Sequence, residues 1–104
     1  MKDNIMPLLV IDLQEGFSGE NISVNIDGHD VFKGENIATR NQIGLAKQIK
    51  KEIQSGNHTV RINLEDRGMD KSFSIDSSAT PFLGISVLNN EIVFTPEATA
   101  FGYV

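Results

Sequence analysis

Short stretches in which apolar and polar residues alternate run along the chain, separated by glycines and Asx pairs. A period of two marks strands that bury one face, because successive side chains point to opposite sides of a sheet. Residues 5–13 open the series: Leu9, Ile11 and Leu13 share one face, while Leu8 and Val10 face the other, ahead of Asp12 and Gln14. That pattern predicts a strand buried on both sides at its start. Gly16 and Gly19 then frame a loop around Phe17. Ile22, Val24 and Ile26 alternate with Ser23, Asn25 and Asp27 and lead into Asp27-Gly28, with Val31-Phe32 beyond. Asp-Gly suits the positive φ angles of a type I′ turn, so a hairpin is predicted here. Residues 34–44 read as irregular and polar.

The second half repeats the pattern. Val60, Ile62 and Leu64 alternate with Thr59, Arg61 and Asn63, and Asp66-Arg67-Gly68 turns the chain toward Phe73 and Ile75. Pro81 opens a strand in which Leu83, Ile85 and Val87 share a face. Asn89-Asn90 is a second hairpin turn, returning through Ile92 and Phe94. Residues 45–53 are ambiguous. Leu45, Ala46, Ile49 and Ile53 fit helical spacing, whereas a strand must carry Lys47 and Lys51 on the same face as Ile49. A lone helix would need a sheet face to cover, so the surrounding hairpins decide for a strand.

A chain of 104 residues is one domain, residues 1–104, by the usual size relation. With short alternating strands and 45–53 taken as one of them, the predicted fold is all-β: an immunoglobulin-like β-sandwich of seven or eight antiparallel strands, with a small closed barrel as the alternative. No Cys is present, which removes disulfides, thiolate zinc sites and thiol nucleophiles. A net charge of −5 with scattered Lys and Arg argues against nucleic acid and anionic membrane as partners. Only Lys47, Lys50 and Lys51 lie together. No apolar run reaches the roughly 20 residues of a membrane span, and Asp12 interrupts the one run that begins like a signal peptide. The cytoplasm is the expected location, barring a pre-sequence removed upstream.

Asp12-Leu13-Gln14-Glu15-Gly16-Phe17, Thr39-Arg40, Gly44-Leu45-Ala46, Leu83-Gly84-Ile85-Ser86 and Phe101-Gly102-Tyr103 resemble landmarks of a family of small, uncharacterised bacterial all-β proteins. The resemblance spans most of the chain and implies a strand at 47–53. It implies no activity and no functional residue.

Candidate chemistry is sparse. Asp27, His29 and Asp30 form the best local set for a metal, but turn chemistry already accounts for Asp27-Gly28. His58 shares parity with Val60, Ile62 and Leu64 and is expected to cap the buried face where its strand begins, without a partner visible in sequence. Asp12, Glu15, Glu65 and Asp66 are the carboxylates available for paired acid–base work. No Trp is present to stack a sugar. Asp12, following an apolar run, is expected to be buried and to accept backbone N–H groups. Ser86 lacks the second glycine of a nucleophile elbow. The sequons at Asn21 and Asn57 carry no weight without a secretory signal. No catalytic, cofactor-binding or metal-ligating residue is therefore assigned.

The reading that remains is a non-enzymatic binding or protein-interaction module for an unidentified protein or small molecule. A hydrolase or ligand-binding enzyme assembled only in three dimensions, and a homo-oligomeric structural protein, are the alternatives. Phe101 and Tyr103, two rings at the end of this sequence, are expected to dock on the domain's own core and to extend or close a sheet edge.

Overall fold

A computed structural model describes residues 7–103 of the chain. Eight strands form two four-stranded sheets: β1 (Leu8–Leu13), β2 (Ser18–Ile26), β3 (His29–Ala38), β4 (Lys47–Glu52), β5 (Asn57–Leu64), β6 (Met69–Asp76), β7 (Phe82–Leu88) and β8 (Glu91–Glu97). One sheet has the order β4-β1-β7-β8 and the other β3-β2-β5-β6. They are two separate sheets on a shared core, not a closed barrel. Among the described residues there is no α-helix, only a single 3-10 turn at Glu65–Arg67 that ends in the left-handed Gly68. The expected beginning of the first strand, at residues 5 and 6, lies outside the described residues.

The inward faces are those the alternation marked. Leu9, Ile11, Leu13, Leu83, Ile85, Val87 and Ile92 from one sheet meet Ile22, Val24, Ile26, Val60, Ile62, Leu64 and Ile75 from the other. Each such side chain stabilises the fold by roughly 1.5–3 kcal/mol when fully buried. Asp27 and Gly28 (φ 52° and 85°) and Asn89 and Asn90 (φ 53° and 62°) take the left-handed conformations of type I′ hairpin turns.

Residues 47–52 are a strand, paired antiparallel with β1 so that Ile49 faces the core opposite Ile11. The inward lysines that made this segment ambiguous are accommodated because β4 is an edge. Lys47 reaches past the core and sets its ammonium 5.7 Å from the centre of the Phe32 ring.

Two expectations are corrected. The strands are not all antiparallel: β1 and β7 run parallel, with Val10 opposite Phe82 and Leu13 opposite Ile85. Parallel neighbours need a long crossover. Here the chain supplies it by building the whole of the second sheet, and β4, between them. Residues 34–38 are also not irregular, since β3 continues to Ala38. Pairing with β2 holds this polar stretch extended, at the expense of three register shifts and a positive φ of 57° at Asn36.

β1 does not release β7 at its end. Gln14 N–H donates to the Ile85 carbonyl at 2.8 Å and Val87 N–H to the Glu15 carbonyl at 2.8 Å. This brings Gly16 (φ 88°) so close to β7 that a Cβ there would lie 1.8 Å from the Val87 carbonyl oxygen. Both the backbone conformation and the space require glycine. Gly16→Ala is expected to destabilise the domain by about 3 kcal/mol in urea denaturation; an unchanged midpoint would contradict this tight approach.

Candidate functional site

The three residues weighed for a metal, Asp27, His29 and Asp30, spread along the β2–β3 hairpin. Asp27 sits in the β2–β3 turn, while His29 lies opposite Ile26 and Asp30 opposite Asn25. Among the described residues no group of three His, Cys, Asp or Glu side chains is placed to hold a metal ion.

Asp27 is engaged elsewhere. The β2–β5 register puts Ile26 opposite Val60, so the turn residue arrives beside the entry of β5. There Asp27 Oδ1 accepts the Thr59 N–H at 2.9 Å, and Oδ2 lies 2.6 Å from His58 Nδ1. The other ring nitrogen, Nε2, lies 2.7 Å from the Gln54 carbonyl oxygen. Both imidazole nitrogens face acceptors, an arrangement satisfied only by the doubly protonated ring. The hydrogen bond to Asp27, then that to the Gln54 carbonyl, holds the His58 pKa above its ordinary value. The bond to His58, then that from the Thr59 backbone, holds Asp27 below its own. His58 does stand at the edge of the core, as its parity implied; its partner lies 31 residues away and was invisible locally.

Asp12 is the most buried carboxyl group among the described residues, 2% exposed. Its partners are side chains, not the backbone N–H groups expected of it. Oδ2 accepts the Tyr103 hydroxyl at 2.5 Å, and Oδ1 accepts Gln48 Nε2–H at 3.0 Å. Gln14 Nε2–H donates to the same Tyr103 oxygen at 3.0 Å. Burial, then the bond to Asp12, pushes the Tyr103 hydroxyl up to about 12, against the opposing pull of Gln14. The phenol therefore stays a donor throughout the physiological range.

These groups lie on the outer face of the β4-β1-β7-β8 sheet, where Gln48, Asp12 and Gly84 occupy one row across the strands. Phe101 and Tyr103 lie over that row. Phe101 packs on Gly84, where a Cβ would come within 3.0 Å of the ring and 2.5 Å of Gln14 Oε1. The two rings dock on the domain as expected, but on an outer sheet face. They neither join the core nor extend an edge, and residues 98–103 form no strand.

Segments distant in sequence meet around the end of β1. Glu15 N–H donates to Ser86 Oγ at 3.1 Å, and the Thr39 hydroxyl donates to the Gln14 carbonyl at 2.6 Å. Ala46 N–H donates to the Leu13 carbonyl at 2.7 Å, and the Glu15 carboxylate lies against Gly44. Ser86 is thus a backbone acceptor beside Glu15.

A third cluster escaped the sequence reading. Glu20, 5% exposed, accepts from Ser18 N–H at 2.8 Å, Ser18 Oγ–H at 3.0 Å and Arg67 at 3.0 Å. Burial pushes this carboxyl group up, but its hydrogen bonds outweigh that and hold it below the usual range. Arg67 also donates to the Gly16 carbonyl and to Asn90 Oδ1, tying three loops together at one end of the molecule. The remaining candidates separate: Asp66 Oδ2 accepts Asn21 N–H at 2.9 Å, and Glu65 borders a surface groove.

That groove, about 420 Å³, is lined by Asn21, Ile22, Ser23, Lys33, Gly34, Glu35 and Glu65. It follows the β2–β3 pair where the register shifts. A hollow of about 300 Å³ lies between Lys51 of β4 and the β2–β3 turn, bordered by Asp27 and His29. Neither is lined by Asp12 or His58. No helix of the described residues is long and apolar enough to cross a membrane. Comparison with protein-family models, curated proteins and solved structures gave no match.

Two outcomes follow from these clusters. The His58 contribution to stability is complete below the ordinary histidine pKa of 6.5 and is lost as pH rises through the raised folded value. That of Asp27 is present above 3.8 and is lost as pH falls through its lowered folded value. The melting-temperature gap between wild type and His58→Gln should therefore be widest near pH 5–6 and narrow toward pH 9; a constant gap would show that His58 is not held protonated. Tyr103→Phe leaves Asp12 Oδ2 without its donor and should cost about 1–3 kcal/mol in urea denaturation. An unaltered midpoint would mean that the phenol does not hold the segment down.

Proposed function

We propose that the chain is a non-enzymatic binding module that recognises a polar protein surface through the groove along β2 and β3. The observation that carries this is where the chain commits its reactive side chains. Both nitrogens of His58 are taken up by Asp27 and a backbone carbonyl, Glu20 by Arg67 and Ser18, and Asp12 by Tyr103 and Gln48. A general base needs a free acceptor within reach of substrate, and these groups serve the fold instead. The groove carries amide, hydroxyl, ammonium and carboxylate groups from β2, β3 and the turn at Glu65, beside Ile22 and Gly34, a mixture suited to hydrogen bonding with a polypeptide.

The likeness to immunoglobulin domains is one of layering. β2 pairs with β5 as strands B and E do there, whereas β3 stays beside β2 instead of crossing to the other sheet. Assembly through strand edges is disfavoured. Lysines sit on β4 and β6, three register shifts interrupt β3, and Pro96 lies in β8.

The test is a low-salt pull-down from the native host with wild type and a Lys33→Glu/Glu35→Lys double variant. The exchange lies on the surface and should move stability by no more than about 0.5 kcal/mol. Wild type should retain a stoichiometric protein that the variant loses by at least about tenfold. Equal retention by both, or catalytic turnover of a generic ester, glycoside or phosphate substrate by wild type, would overturn the reading.

A further inference from the structure

Segment 98–103 is held in an unusual way. β8 ends at Glu97, paired with Phe82, and beyond it residues 98–103 make no backbone–backbone hydrogen bond among the described residues. Among the described residues, it is held by Phe101 on the bare backbone of Gly84 and by the Tyr103 hydroxyl between Asp12 and Gln14. What lies beneath, by contrast, is fixed. Asp12 and Gln14 belong to the central strand β1 and its continuation, Gln48 is paired across from Asp12 on β4, and Gly84 sits on β7 opposite Asp12. A rigid floor of polar groups is covered by a strip attached through two side chains.

We propose that this floor is a recognition site for a partner polypeptide carrying an aromatic ring, one small residue and then a tyrosine, and that the chain's own Phe101-Gly102-Tyr103 occupies it as a displaceable plug. The chemistry selects for that partner. A buried carboxyl oxygen aimed outward needs a hydroxyl or N–H donor, and a site built around such a bond strongly rejects an analogue without it. The gap at Gly84 admits a flat ring and would close if any side chain were added there. The spacing of ring and phenol matches the distance between Gly84 and the Asp12–Gln14 pair, as the bound segment itself demonstrates.

A second copy of this chain is a poor occupant. Its segment makes the same contacts as the resident one, which has the advantage of being tethered at an effective concentration of order millimolar. Displacement requires either a tighter partner or a weakened plug, and only a different polypeptide supplies the first. This site is separate from the β2–β3 groove and does not depend on what binds there.

The experiment uses the full chain and a fluorescein-labelled peptide with the sequence of residues 97–103, followed by fluorescence anisotropy. In wild type the tethered segment competes, so binding should be weak. In Tyr103→Phe the plug has lost its hydrogen bond to Asp12, and the peptide should bind at least about tenfold more tightly than to wild type. The same peptide with its tyrosine replaced by phenylalanine should lose at least about tenfold on the Tyr103→Phe chain. Equal binding to both chains, or indifference to the peptide hydroxyl, would overturn the proposal and make the segment a fixed part of the fold. So would a Tyr103→Phe chain that fails to fold. Wild type that dimerises in light scattering, with the dimer abolished by Tyr103→Phe, would assign the floor to a second copy and overturn it as well.

Discussion

The structure depends on β1 being buried on both faces from Leu9 to Leu13. It lies between β4 and β7, and its inner side chains Leu9, Ile11 and Leu13 are wholly buried in the core. On the outer side Val10 and Asp12 are also buried. A strand in that position must have its backbone paired on both sides and something laid over its outer face. The parallel partner β7 provides one side of the pairing, and the bonds continue past the strand through Gln14, Glu15 and Val87. Tyr103, with Phe101 beside it on Gly84, provides the cover over Asp12. A side chain at Gly16 would push the loop off β7, and one at Gly84 would lift the cover.

The second sheet has the opposite character. Its order β3-β2-β5-β6 contains only antiparallel pairs, and its outward positions are mostly Asn, Asp, Ser, Thr, Arg and Lys. One face is core and the other is water, which is the situation that alternation describes well. Arg61 and Asp70 pair on that outer face, both exposed, so screening leaves their bond little weight in stability. The functional contrast follows: one outer face is open and polar, while the other has its centre, around Asp12 and Gly84, buried beneath Phe101 and Tyr103.

This difference sets how much was legible in the sequence. Positions such as Ile22, Val24, Ile26, Val60, Ile62 and Leu64 declare their face by parity, and Asp27-Gly28 and Asn89-Asn90 declare their turns by a requirement for positive φ. Those signals are local. The parallel β1–β7 pair is a property of topology and has no signature of its own in either strand. Residues 34–38 show no clean alternation because they form a bulged edge, and a bulge blurs the period of two. The side-chain clusters were least accessible. Asp12 and Tyr103 are 91 residues apart, Glu20 and Arg67 47, and Asp27 and His58 31. In the last case the β2–β5 register would have found the pair, since aligning Ile26 with Val60 brings the turn carboxylate to the strand entry. For Asp12, burial was inferable from the apolar run before it, but the identity of its partner was not.

Burying a carboxyl group on an outer sheet face is a costly way to close a small domain, because an apolar residue would cover β1 without needing a donor. The arrangement makes that face conditional instead. With the tyrosine in place, both Asp12 oxygens have partners, and among the described residues no buried side-chain oxygen or nitrogen lacks one. With the tyrosine lifted, a polar floor opens in the middle of an otherwise well-paired sheet. Hydrophobic cover alone would be indifferent to what replaced it. A single short hydrogen bond at the centre confers chemical selectivity on the strip that lies there, and two-point attachment leaves that strip free to open without unpairing a strand. Stability is thus concentrated in the core and in the β1–β7 register, while the outer face of β1 is left dependent on one phenol.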